Sequence, residues 1–182
     1  VKIGSGELDI SENTFDNSGS YPVRVDLGGI VTGEELQKIA GNVYQNHTTS
    51  DQIYLSDNIG THITLPQGES YAASGIVIRE GAKLTVPEGA KLEIEPESYF
   101  YVYGTLELKG IEERRAEIVS MGGNWDGIYV YERGLLEAEY ANIHVSRGYY
   151  SVQSVHPSER GYSGIMAFGT VRMADCKVSG SS

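Results

Sequence analysis

Apolar and polar residues alternate in short runs punctuated by glycine through an eight-residue tandem, Glu80-Gly-Ala-Lys-Leu-Thr-Val-Pro87 followed directly by Glu88-Gly-Ala-Lys-Leu-Glu-Ile-Glu95. A period of two predicts short strands with one oily face, here Leu84, Val86, Leu92 and Ile94. Lys83, Thr85, Lys91, Glu93 and Glu95 form the wet face. Further short strands are predicted at 75–78, 99–103, 105–109, 117–120, 127–131 and 164–168, bounded by Gly, Pro, Asn or charged pairs. Helical periodicity is nearly absent. The exception is 32–40, where Thr32 and Glu35 have capping-box spacing and Leu36 with Ile39 make a small apolar face before Gly41. This segment reads as a short helical insertion that leaves the ladder of strands.

A more distant repeat covers more of the chain. Leu8-Asp-Ile10-Ser-Glu-Asn-Thr-Phe15, Ala138-Glu-Tyr140-Ala-Asn-Ile-His-Val145 and Val171-Arg-Met173-Ala-Asp-Cys-Lys-Val178 align without gaps, and each runs into a Ser/Gly/Asn-rich bend. Such self-similarity predicts rungs, each stabilised by stacking on its neighbours. Antiparallel hairpins would call for Asn-Gly or Asp-Gly turns between matched strands, and Asp126-Gly127 is the one such dipeptide. A β-sandwich is therefore the weaker alternative to a parallel coil. Turns of about 22 residues, stacked about 4.8 Å apart, would give roughly six or seven turns in a stack about 30 Å tall.

Gly81 to Gly89, Tyr101-Val-Tyr-Gly-Thr-Leu-Glu-Leu-Lys-Gly110, Ala116-Glu-Ile-Val-Ser120 and Trp125-Asp-Gly-Ile-Tyr-Val130, in this order, resemble the right-handed parallel β-helix repeats of large bacterial and archaeal extracellular proteins. Asn13-Thr-Phe15 and Gly41-Asn42-Val-Tyr44 look like further rung motifs, so the resemblance covers most of residues 8 to 178. It implies an all-β fold, a single-stranded right-handed parallel β-helix over 1–182, at an extracellular or cell-surface location. The family includes stiff rods on surface proteins, adhesins, filaments and polysaccharide-active enzymes, and fold alone does not choose among these.

Net charge narrows the partners. At −11 with a pI near 4.8, the chain's field opposes nucleic acid and anionic membranes, and no run of about 18 apolar residues suggests membrane insertion. Cys176 is the lone cysteine, which excludes an internal disulfide framework, and its neighbours predict a small buried residue. Trp125 is expected to be structural.

Chemistry on polysaccharide would need paired carboxylates or an acidic calcium cluster beside a base. Glu93, Glu95 and Glu97 alternate onto one face, with Glu107 and Lys109 expected nearby, but outward charges opposite Leu92 and Ile94 are what a solvated strand needs anyway. Calcium could be held by Asp51 with Asp57 or Asp16 with Asn17, although neither has EF-hand or nonapeptide spacing. His47, His62, His144 and His156 are scattered, and no serine sits in a nucleophile elbow. The expectation is a chain without catalytic residues, cofactor or metal. Asn46-His-Thr48 matches a glycosylation acceptor.

If Phe100 and Val102 point inward, Tyr99, Tyr101 and Tyr103 form an outward stripe, suited to another protein or to sugar rings, or simply covering the sheet. The rung-like sequence at both termini predicts open coil ends. Leu8, Ile10 and Phe15 at one end, and Val171, Met173 and Val178 at the other, are the candidate end-stacking residues. The expected partners are copies of the chain stacked head to tail as a filament, or the rest of a larger surface protein of which this is a segment. Glycans, with polysaccharide binding or cleavage, are the alternative.

Overall fold

The computed structural model describes residues 1–3, 10–17, 19–28, 32–146 and 164–181. In chain order the first elements are β1 (Lys2–Ile3), β2 (Thr14–Asp16), β3 (Arg24–Asp26), α1 (Gly33–Ala40), β4 (Val43–Gln45), β5 (Ile53–Ile59) and β6 (His62–Thr64). There follow β7 (Ser70–Ile78), β8 (Lys83–Pro87), β9 (Lys91–Ile94), β10 (Phe100–Val102), β11 (Thr105–Lys109) and β12 (Ala116–Ser120). The last are β13 (Ile128–Val130), β14 (Leu135–Glu139), β15 (Ala141–Ser146), β16 (Ile165–Ala167), β17 (Thr170–Ala174) and β18 (Lys177–Ser181). The chain is mostly β, with one short helix, and its described strand pairs are all parallel.

Five strands form one sheet in the order β17-β14-β11-β8-β6. A larger sheet runs β1-β3-β5-β7-β9-β12-β15-β18 and branches at β7, whose second half pairs with β10, followed by β13 and β16. The branch point is a bulge: Ser56 pairs with Ser74 but Asp57 pairs with Ile76, so Gly75 is left over. Gly75 adopts φ 61 and donates its amide to the Ser98 hydroxyl at 2.7 Å, which satisfies an N–H that the ladder has lost.

Both sheets bury one core. Leu84, Val86, Leu92, Ile94, Val102, Leu106, Leu108, Ile128 and Val130 all lie in it, as their alternation predicts. The tandem copies do not lie on each other, however. Leu84 of the first stacks on Leu106 in the smaller sheet, and Leu92 of the second stacks on Ile118 in the larger one. Gly81 and Gly89, at φ 79 and 68, turn the chain ahead of the strand in each copy, so the tandem repeats a bend and a strand. The stacked interval widens from Leu84 to Leu106, then to Leu136, then to Val171. A turn of about 22 residues fits the steps from Ile63 to Leu84, Tyr71 to Leu92 and Leu84 to Leu106 but not the later ones, because the bends between strands differ in length.

The three-rung alignment needs two corrections. The second and third copies do stack, but Leu136 faces Val171, Ala138 faces Met173 and Ile143 faces Val178, two residues away from the gapless alignment. A slip of two keeps every side chain on its own face, so alternation cannot detect it. In the first copy, Leu8 lies outside the described residues. Phe15 belongs to a separate two-stranded sheet, where Thr14 pairs with Val43 and Phe15 with Tyr44. The motifs around Phe15 and Tyr44 are thus partners of each other.

Helix α1 has the expected cap: the Thr32 hydroxyl accepts from the Glu35 amide and the Glu35 carboxylate accepts from the Thr32 amide. Leu36 and Ile39 are buried in the common core. Gly33 lies so close to the Thr64 carbonyl that a Cβ there would come within 2.7 Å of it. The helix therefore abuts β6, the first strand of the smaller sheet. Strands Arg24–Asp26, Ile53–Ile59 and His62–Thr64 are additions to the strands that alternation predicts.

Candidate functional site

Parallel register carries outward residues into columns, and one column is aromatic. Val102, Val130 and Ala167 are in register on β10, β13 and β16, so the residues after them, Tyr103, Tyr131 and Phe168, follow one another on successive levels. Tyr103 and Tyr131 stack with centroids 4.2 Å apart, and Tyr131 and Phe168 with centroids 6.3 Å apart. Tyr99 and Tyr101 stack at 4.3 Å, while Tyr101 meets Tyr129 and Tyr131 edge-on. The predicted stripe of three is a patch of six rings. Tyr103 and Phe168 are 39% and 49% exposed, Tyr99 and Tyr101 half-buried, and Tyr129 buried. Tyr129 and Tyr131 share the outward parity of the Trp125-to-Val130 run, which was the available signal.

Carboxylates border this patch. Asp126 precedes β13, its amide donating to the Ser98 carbonyl, and burial followed by the nearby charge of Glu97 pushes its carboxyl above the usual range. Burial, with Tyr99 and Asp126 nearby, also pushes the Tyr101 phenol up. Glu97 sits in the left-handed region at φ 59. Neither carboxylate forms an ion pair among the described residues.

A second aromatic group lies on the larger sheet. The Tyr21 and Tyr54 rings are 4.7 Å apart, and their hydroxyls donate to the two oxygens of Glu95 at 2.8 and 3.2 Å. The Arg24 guanidinium lies 4.7 Å from the Tyr54 centroid. Burial above all, reinforced by Glu95, pushes the Tyr21 phenol far up. Beside it opens a cleft of about 410 Å³ lined by Lys2, Arg24, Asp26, Tyr54, Ser56 and Asp57, among others.

The acidic candidates are separated. Glu93 pairs with Lys91 at 2.6 Å and Glu95 holds the two phenols, both on the larger sheet. Glu107 and Lys109 lie on the smaller sheet, where Glu107 accepts from Thr85 at 2.8 Å and pairs with Lys83 at 3.4 Å. Burial opposes the charge of Glu107, but Thr85 and Lys83 outweigh it and hold the carboxyl below the usual range. Sequence parity could not show that these carboxylates belong to different sheets.

Of the calcium candidates, Asp51 accepts from the His47 amide, Asp57 from the Asn58 amide, and Asp16 from Gln45 and Asn46. Hydrogen bonds from Asn46 and then Gln45 hold the Asp16 carboxyl low. No group of three metal-ligating side chains occurs among the described residues. Asn46 is exposed, at φ 59, with its amide nitrogen 3.1 Å from Asp16. Trp125 is buried and donates to the His144 carbonyl at 3.2 Å. Cys176 is half-buried rather than enclosed.

The last described level is uncovered. Met173 is 36% and Val178 51% exposed and Val171 half-buried, whereas their partners one level back, Ala138, Ile143 and Leu136, are buried. At the other end Ile10 and Phe15 are half-buried, and Phe15 stacks on Tyr44 at 5.3 Å. No family model, no curated protein and no solved structure matches the chain.

Proposed function

We propose that this chain is a structural protein of the extracellular right-handed parallel β-helix kind, a cell-surface or filament-forming subunit that assembles end to end. The observation that carries this reading is the exposed inward column Val171, Met173 and Val178, whose equivalents one level back are buried. An open parallel level presents apolar side chains together with unpaired backbone groups, and both are satisfied by a further level in register. At the opposite end α1 abuts the first strand of the smaller sheet, so direct continuation runs through the larger sheet, β18 of one copy meeting β1 of the next. Such a contact is heterologous and propagates instead of closing.

The test is electron microscopy and light scattering of the purified chain beside Val178→Asp. Fibres from the parent and monomers from the variant are expected, since a charge at that position would face the incoming level unpaired. Monodisperse parent particles at all concentrations, or fibres unaffected by Val178→Asp, would overturn end-to-end assembly.

A further inference from the structure

We infer that the tyrosine patch on β10, β13 and β16 is a docking surface for an arginine-bearing extended segment of a partner protein. The inference does not depend on end-to-end assembly, because the patch faces sideways from the stack. Three observations carry it. First, among the described residues Tyr99, Tyr103 and Phe168 each stack on one neighbouring ring, and Tyr103 and Phe168 are exposed enough to offer ring surface to a visitor. Second, the Glu97 amide donates to the Asn124 carbonyl and the Asp126 amide to the Ser98 carbonyl, each at 2.7 Å, which sets the two acidic residues on adjoining segments with Asp126 near Tyr101, and no cation is paired to either among the described residues. Third, the net charge of −11 attracts a cationic partner at long range.

A guanidinium answers all three. It is flat enough to stack on a tyrosine face, its fork matches a carboxylate, and it sheds water more readily than an ammonium. A neutral sugar would use the ring faces but leave the Asp126–Glu97 repulsion in place. A lysine segment would relieve the repulsion without the planar fit. Tyr103 and Phe168 are the exposed contacts, with Asp126 as the charged anchor.

The experiment is fluorescence anisotropy with a labelled Arg-Gly-Arg-Gly-Arg peptide, its lysine counterpart, and chitohexaose and cellohexaose as competitors. Tyr103→Ser and Asp126→Asn are each expected to weaken the arginine peptide by about tenfold. Both variants are checked for folding by circular dichroism; the first is at an exposed ring and the second is isosteric. The control Glu112→Gln/Glu113→Gln removes more charge from exposed positions on another bend and is expected to change affinity by less than about threefold. The arginine peptide should bind more tightly than the lysine one. Equal losses in all variants would reduce the binding to the overall field and overturn the site. So would no binding to the parent chain, or displacement of the peptide by the neutral oligosaccharides, which would assign the rings to a glycan.

Discussion

Tyr140 and Asp175 occupy the same corner on successive levels: both are left-handed, at φ 45 and 51, and the Tyr140 amide donates to the Ala174 carbonyl at 3.1 Å. Asp tolerates this conformation better than Tyr, because a short polar side chain bonds locally to its own backbone. Tyr140 contributes in return a ring 5.8 Å from the Arg115 guanidinium. At 5.8 Å from the ring centroid, the cation–π contact is the smaller effect. Tyr140→Asn should therefore stabilise the fold by about 0.5–1 kcal/mol, read as a rise in the midpoint of urea unfolding. A fall of the same size would mean that the ring outweighs the backbone strain.

Tyr71 is fully buried, and among the described residues its hydroxyl has no hydrogen-bond partner. Removing an unsatisfied buried group recovers its desolvation cost while leaving the ring in place. Tyr71→Phe is expected to be neutral or to stabilise by up to about 1 kcal/mol in thermal unfolding. A loss above about 1 kcal/mol would reveal a hydrogen bond at that hydroxyl.

Ser98 is the reverse case. It is buried and accepts the Gly75 amide that the bulge leaves over. Ser98→Ala should cost about 1–3 kcal/mol and speed hydrogen exchange at Gly75 while leaving distant levels protected. Unchanged exchange at Gly75 would show that another acceptor takes the amide.

Alkaline pH should unfold the chain through its tyrosines. Burial, above all, pushes Tyr44 up to about 12 and raises Tyr21 and Tyr71 further, from an unfolded value near 10. A group whose folded pKa is raised binds its proton more tightly in the native state, so its contribution is complete below pH 10. That contribution declines as pH rises through 10, where the unfolded state begins to lose protons, and is gone above the folded values. Circular dichroism against pH should show a flat stability to about pH 10 and a steep loss beyond it. Phenol ionisation near pH 10 with the strands intact would show that these rings are solvated.

Much of the strand content was legible because alternation is a local property. Leu106 and Leu108 sit where parity puts them, and so do Ile128 and Val130. The capping box of α1 was legible for the same reason, since Thr32 and Glu35 meet within one helical turn. The additional strand Ile53–Ile59 has broken alternation, because the chain turns left-handed at Asp57. The site was legible in half. Tyr99, Tyr101 and Tyr103 stand together in sequence, but Tyr129, Tyr131 and Phe168 reach them only through stacking.

From the sequence alone came the inward and outward faces of most strands, the acidic field and the helix cap, all set by residues near one another along the chain. The tertiary structure decided which strands meet: that the tandem copies lie on different sheets, that Leu136 and not Ala138 faces Val171, and that Phe15 pairs with Tyr44. A slip of two residues preserves every face, so alternation is silent on register. Register follows instead from the lengths of the bends and from how the apolar side chains of successive levels fill a shared core.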